Sequence, residues 1–266
     1  MSPKLRTPVT YYGGKQTMLR HILPNIPPHQ IYTESFFGGG AVFFAKEPSE
    51  SEVINDNHHM VVNFFAVAKQ DFEALKEKIE ATLFSRATYS VAWSIYRMPH
   101  LFSPLQCAWA FYVGTNMGFA CTVGSWGFDK YGKRTKSFIN KKLAFDERIA
   151  QRLASTTIEC SDACAVIERF DTKGSFHYVD PPYINTNLGH YGGYTESNYQ
   201  QLLETLSKIK GKFLLSSFPS DLLERYTKKN GWHTQTYTKS LAAHKSEGGA
   251  SKPTKVEVLT ANYPIV

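Results

Sequence analysis

Phe176-His177-Tyr178-Val179-Asp180-Pro181-Pro182-Tyr183 is the stretch on which the fold turns. Its first four residues read as a buried strand. Asp180 then stands at the strand's C-terminal end, where open α/β sheets place their chemistry. Two prolines follow. They lack an N–H and have a fixed φ, so the turn is stiff and the Asp180 and Pro181 carbonyls are held in place. Tyr183 adds an aromatic ring. A carboxylate, an aimed carbonyl and a flat ring make a socket for a planar, amino-bearing group such as a nucleobase. An Asp-Pro-Pro run can equally be a plain turn, and short motifs give false positives. The flanking chain has to decide.

Upstream, Thr157–Cys160 reads as a strand, followed by Ser161-Asp162 and a helix to Arg169. Asp162 suits a helix cap better than a contact to a cofactor's adenine. Earlier still, Ile31–Ser35 reads as the first strand and runs into Phe36-Phe37-Gly38-Gly39-Gly40-Ala41. A glycine-rich turn between strand and helix is a ligand platform at a sheet edge. The dinucleotide pattern wants another glycine where Phe43 stands, and that glycine serves a pyrophosphate. S-adenosylmethionine has none and would not need it. A second strand, Glu52–Asn55, ends on Asp56, which is placed to accept from a ribose; alone, Asp56 would be a helix N-cap. Tyr11-Tyr12-Gly13-Gly14-Lys15 resembles part of a phosphate loop, but Val9 and Gln16 occupy the places of its first glycine and its Ser or Thr. A close backbone approach beside a ring and a cation remains, or else a glycine turn before a helix over 16–23.

Between these strands the pattern changes. Val61, Phe64, Phe65 and Ala68, then Phe72, Leu75 and Ile79, fall at helical spacing. Asp71 is a candidate cap for the second run. Further helices are expected over Thr88–Arg97, Pro104–Val113 and Asp146–Ala154. No strand of a parallel sheet is evident, which predicts an inserted, mainly helical domain. It contains Gly114-Thr115-Asn116-Met117-Gly118-Phe119 and then the basic segment 124–142. Lys130, Lys133, Arg134, Lys136, Lys141 and Lys142 face one acid there, Asp129. Trp126, Phe128, Tyr131 and Phe138 are interleaved, and Gly127 and Gly132 suggest a hairpin or loop. Such a segment can neutralise phosphates and touch bases, or be a solvated basic loop.

Downstream of Tyr183, residues 184–195 are polar and hold Gly189, Gly192 and Gly193, a composition that suits a lid. Thr195 is placed to cap a helix with Glu196 in its first turn and Tyr199, Leu202, Leu203 and Leu206 buried. A strand over Phe213–Ser217, a helix over Asp221–Lys228 and strands over Trp232–Ser240 and Val256–Tyr263 follow. His244, Lys245 and Lys252 make the last connection basic.

Composition narrows the class. The 266 residues are enough for one large domain or one domain with an insertion. A net charge of +7 points to a polyanion, nucleic acid first. Cys107, Cys121, Cys160 and Cys164 form no C-x-x-C pair, and His58 and His59 are adjacent, so no metal site is expected. Reduced thiols, and no signal peptide or membrane span, predict a cytoplasmic protein.

The order of these parts resembles the adenine-specific DNA methyltransferases of the Dam type. The motifs that carry the resemblance are the aromatic-x-Gly-Gly-Lys of residues 11–15, the Phe-x-Gly-x-Gly of residues 36–40 and Asp-Pro-Pro-Tyr. Lys255–Leu259 looks like the family's closing strand. Tyr11 departs from Dam's Trp but keeps a ring. The resemblance implies a Rossmann-like methyltransferase sheet with helices on both faces. It divides the chain into a catalytic domain over 1–56 and 157–266 and a target-recognition domain over 57–156. It implies that Tyr11, Lys15, Phe36, Gly38, Gly40, Asp56, Asp162 and Asp180 contact S-adenosylmethionine, with no metal. Asp180, Pro181, Pro182 and Tyr183 would receive a flipped-out adenine of double-stranded DNA. Asn116, Trp126, Lys130, Lys133, Arg134 and Lys136 would lie at the DNA. A monomer is expected, with a dimer on DNA as the alternative. Methylation of cytosine N4 or of RNA stays open, as does a DNA-binding protein with an inactive methyltransferase-like domain.

Overall fold

The computed structural model describes residues 5–119, 123–183, 194–240 and 254–266. The chain forms two compact units, Met1–Leu23 with Phe37–Asp162, and Pro24–Phe36 with Ala163–Val266.

In the first unit β2 (Ser51–Asn55) pairs in parallel with β3 (Thr156–Glu159), Glu52 opposite Thr156 and Asn55 opposite Glu159. Ahead of them lie α1 (Leu19–Ile22) and α2 (Ala41–Ala45). Between them come α3 (His59–Gln70), α4 (Phe72–Glu80), α5 (Arg86–Arg97), α6 (Pro104–Met117), α7 (Lys133–Leu143) and α8 (Arg148–Leu153). The helical spacing holds, with Val61, Phe64, Phe65 and Ala68 all fully buried. The central helix is α6, whose residues 107–117 are buried on every side, as a helix apolar all round must be. It starts where its residues direct. Ser103 and Gln106 form a reciprocal capping box around Pro104, closing two orphan amides. The helix runs on through Gly114–Met117. Asp71 sits at the N-cap of α4 but makes no side-chain cap bond.

The basic segment departs from the expected hairpin or loop. Residues 133–143 are the helix α7, begun at Gly132 and anchored by one buried ring, Phe138. Asp129 closes its first turn, accepting from the Thr135 N–H at 2.8 Å and from its hydroxyl at 2.7 Å. Those bonds hold the Asp129 carboxyl down at about 2. Hairpin character is confined to the residues before it. Gly118 bridges Trp126 in antiparallel fashion, and Phe119 N–H donates to Ser125 at 2.6 Å.

In the second unit the strand order is β1-β4-β5-β7-β6. β1 (Ile31–Glu34), β4 (Ser175–Val179) and β5 (Lys212–Ser217) are parallel. β7 (Thr254–Ala261) runs antiparallel to β5 and to β6 (His233–Ser240). β4 is buried at all five positions, as a strand covered on both faces must be. Val179 of β4 joins α9 (Ala163–Arg169), α10 (Glu196–Leu206) and α11 (Asp221–Asn230) in one core with Ile167, Leu202, Phe213, Leu215 and Trp232. Thr195 caps α10 as expected, in a capping box with Asn198. Parallel strands joined through helices, with an antiparallel pair at the C-terminal end, make this a Rossmann-like methyltransferase fold.

Candidate active site

Of the residues expected at a methyl donor, the first unit holds Tyr11, Lys15, Gly38, Gly40, Asp56 and Asp162, and the second holds Phe36 and Asp180. The Tyr11 ring lies against the glycine turn. A Cβ added at Gly38, whose φ is +49°, would stand 2.8 Å from that ring, and one at Gly40, φ +67°, would stand 2.4 Å from Phe37. Only glycine takes these left-handed conformations without strain and leaves this room. Asp56, 7% exposed, fixes the turn from beneath. One oxygen accepts from Gly38 N–H at 2.8 Å, the other from His58 N–H at 2.9 Å. Burial raises the Asp56 carboxyl, while these two amides pull it back. Thr7 Oγ1 donates to the Gly39 carbonyl from the opposite side. Lys15 is buried, with its ammonium 3.2 Å from the Gly13 carbonyl.

Asn55, unremarked in the sequence, is part of the same arrangement. Its amide exchanges two bonds with Ser161, Nδ2 to the carbonyl at 3.1 Å and Oδ1 from the N–H at 2.9 Å. This ties the ends of β2 and β3 together just ahead of Asp162. An Asn at a strand end carries no pattern that announces such a bond.

The residues expected at DNA divide sharply. Asn116 is buried, and its amide holds the N-terminal segment instead. Oδ1 accepts from Thr10 N–H at 3.2 Å and from Thr10 Oγ1 at 3.0 Å, and Nδ2 donates to Pro8 at 3.3 Å. A side chain so engaged positions the backbone that leads to Tyr11. Arg134 is likewise turned inward. Its Nη2 donates to the carbonyls of Met117 at 3.0 Å and Gly118 at 2.7 Å. Trp126 packs on Phe84 and Tyr89 with Arg86 over its face. Lys141 donates to Thr10, and Lys142 to the carbonyls of Glu80 and Thr82. Lys130, Lys133 and Lys136 are exposed, as are the rings of Phe128 and Tyr131.

The second unit holds the Asp180 loop. β4 delivers Asp180 at its C-terminal end, half-buried, with Pro181 buried behind it. Tyr183 is gripped at both ends. Its ring lies 4.1 Å from that of Phe218, tilted by 39°, and its hydroxyl donates to Glu257 Oε1 at 3.2 Å. Below, the buried Tyr178 phenol is pushed well above its ordinary value by burial and by the acids around it, Asp180 first. Phe36 makes an edge contact with Tyr194 at 6.0 Å. Residues 184–193, expected as a lid, and His244, Lys245 and Lys252 lie outside the described residues. Among the described residues, no three His, Cys, Asp or Glu side chains are placed to hold a metal ion, and no helix is long and apolar enough to cross a membrane.

A glycine turn after β1, an acid after β2 and Asp-Pro-Pro-Tyr after β4 define a methyltransferase of the α/β class. The chain belongs to the D12 class of N6 adenine-specific DNA methyltransferases, whose family model matches residues 11–101 and 114–241. Those segments include Tyr11–Lys15, the glycine turn, Asp56 and Asp180–Tyr183. The chain is 25% identical over 281 residues to Type II methyltransferase M1.LlaDCHI of Lactococcus lactis subsp. cremoris, covering 97% of this chain and 96% of that one. Among solved structures it is similar to a precorrin-6y C5,15-methyltransferase from Geobacter metallireducens, with a TM-score of 0.40 and 9% identity over 92% of this chain and 86% of that one. It is also similar to an rRNA methylase from Streptococcus thermophilus, with a TM-score of 0.32 and 7% identity over 92% and 93%.

Proposed function

We propose that this DNA adenine methyltransferase acts on N6 of an adenine turned out of double-stranded DNA, with S-adenosylmethionine as methyl donor. The observation that carries this reading is the Asp180 loop: a carboxylate at the end of β4, a rigid Pro-Pro turn and a ring held from two sides. The first unit's residues fit the donor. Gly38 and Gly40 let the Tyr11 and Phe37 rings pack directly on the turn, so that Tyr11 offers a ring and Lys15 a buried cation beside it. Asp56 already accepts two amides, yet a carboxylate has about four lone-pair sites, so it can also accept from a ribose. Phe36 and Asp162 complete the set by family analogy. When bound, S-adenosylmethionine supplies an electrophilic methyl group.

Adenine N6 is a weak nucleophile because its lone pair is delocalised into the ring. The Asp180 carboxylate and the Pro181 carbonyl would accept hydrogen bonds from the amino group, pyramidalise it and aim its lone pair. Orientation and fixed charge carry the catalysis. Turning the base out costs a few kcal/mol, which stacking on Tyr183 offsets. Pro182 keeps the turn stiff. The Type II name of the Lactococcus relative supports a place in restriction–modification for this chain as well.

Asp180→Ala tests the reading. Methyl transfer to DNA should fall below detection while DNA binding by the full-length protein stays measurable. Normal turnover by that variant would overturn it. Nucleoside analysis of the product separates N6-methyladenine from N4-methylcytosine, and an RNA substrate run in parallel tests the remaining alternative.

A further inference from the structure

The second unit buries an acid in its closing strand, outside the family match. Glu257 lies beyond the matched residues, which end at 241, and is 3% exposed. It sits on β7, which runs antiparallel past the C-terminal end of β5. Ser217 faces Val258 in that ladder, so Glu257 falls one step beyond, beside the chain that leads to Phe218. A buried carboxylate is costly unless hydrogen-bonded. Its Oε1 accepts from Ser216 Oγ at 2.9 Å and from the Tyr183 hydroxyl at 3.2 Å. Ser216, at the end of the central strand β5, orients the carboxylate, and the carboxylate reaches up to the phenol.

We infer that Glu257 is a positioning residue that sets the tilt of the Tyr183 ring, and through it the seat of the target base; this rests on the assignment of Asp180–Tyr183 to the base. Among the described residues, three restraints then act on one ring. The Pro181-Pro182 turn fixes its backbone, Phe218 backs one side at 4.1 Å, and Glu257 fixes its hydroxyl end. With the hydroxyl released, the ring loses the restraint on its outer end and can change its tilt. A base stacked on it would then lose alignment with the groups that hold its amine. Misplacement on the order of 1 Å can cost about a hundredfold in rate.

The experiment is a double-mutant cycle in the full-length protein, read by single-turnover methylation of a cognate duplex and by fluorescence of 2-aminopurine at the target position. Melting temperature and S-adenosylmethionine affinity are measured alongside. Glu257→Ala should slow methyl transfer by roughly ten- to a hundredfold and change the 2-aminopurine signal, with donor affinity unchanged. Glu257→Gln keeps an acceptor and should recover most of the rate. Tyr183→Phe should match the Ala variant. The double variant should be no slower than the slower single one, since residues acting through one bond are not additive. A Glu257→Ala rate within twofold of the parent, losses that multiply in the double variant, or equal losses in the Gln and Ala variants would each overturn the proposal. If Glu257→Ala fails to fold, Tyr183→Phe decides: a parental rate and 2-aminopurine signal there overturn the proposal, and their loss supports it. Full turnover by Asp180→Ala would instead remove the assignment of the loop, so the two failures are distinct.

Discussion

The Gly38 amide donates to the Asp56 carboxylate at 2.8 Å, so the acid after β2 holds the glycine turn in its left-handed shape. An acid that also accepts from His58 is a clamp on the backbone before it is a contact for a ligand. Asp56→Ala leaves two amides short of an acceptor, about 1–3 kcal/mol for each that stays buried. S-adenosylmethionine affinity should drop at least tenfold by calorimetry, with a lower melting temperature. Gly38→Ala should lose affinity by another route, because its Cβ would press on the Tyr11 ring at 2.8 Å from a backbone at φ +49°. Unchanged binding by both variants would exclude the turn from the donor site.

Much of this was legible beforehand because backbone constraints leave marks in sequence. Gly38–Gly40 and Pro181-Pro182 restrict φ, and β4 is apolar enough to be read as buried. The spacing of Phe64, Phe65 and Phe72 shows which helix faces turn inward. Side-chain bonds between distant residues leave no such mark. Arg134 sits in a segment whose composition suggests a surface, and Asn116 at the end of an apolar helix, yet both reach inward to carbonyls or amides that need a partner. The helix α7 was hidden because, of its apolar residues, only Phe138 is buried, while Ile139 and Leu143 are exposed, so no inward face shows in the spacing. Glu257 lies on a strand where only the register with β5 reveals what it faces.

A buried ion cluster should govern the acid stability of the first unit. Glu52, 2% exposed, meets Lys46 at 2.5 Å and the Arg152 guanidinium on both oxygens, while that guanidinium stacks 3.6 Å over Phe43. Burial alone would raise the Glu52 carboxyl; Arg152 and Lys46 outweigh it and leave it lowered. A lowered folded pKa stabilises fully above the unfolded value near 4.5 and is lost as pH falls through the folded one. Arg152→Ala should cost about 3–5 kcal/mol, toward the lower end because Lys46 remains. Denaturant unfolding from pH 7 to pH 3 should show the gap to the parent narrowing below pH 4.5. A constant gap would assign the loss to packing on Phe43 instead.

The basic segment should split by direction rather than by charge. Lys130, Lys133 and Lys136 are exposed, and each phosphate a lysine neutralises adds about 0.9 to the slope of log K against log salt. Replacing all three with Gln should weaken binding to any duplex and flatten that slope by roughly 2–3, with little change in melting temperature. Arg134→Gln removes one charge too, but that side chain donates to Met117 and Gly118 and fills the space over Gly127. Its replacement should lower the melting temperature and leave the salt slope nearly intact. Filter binding or fluorescence anisotropy over a salt series reads both. An Arg134→Gln slope change as large per charge as that of the lysines would place Arg134 on the phosphates and undo the division.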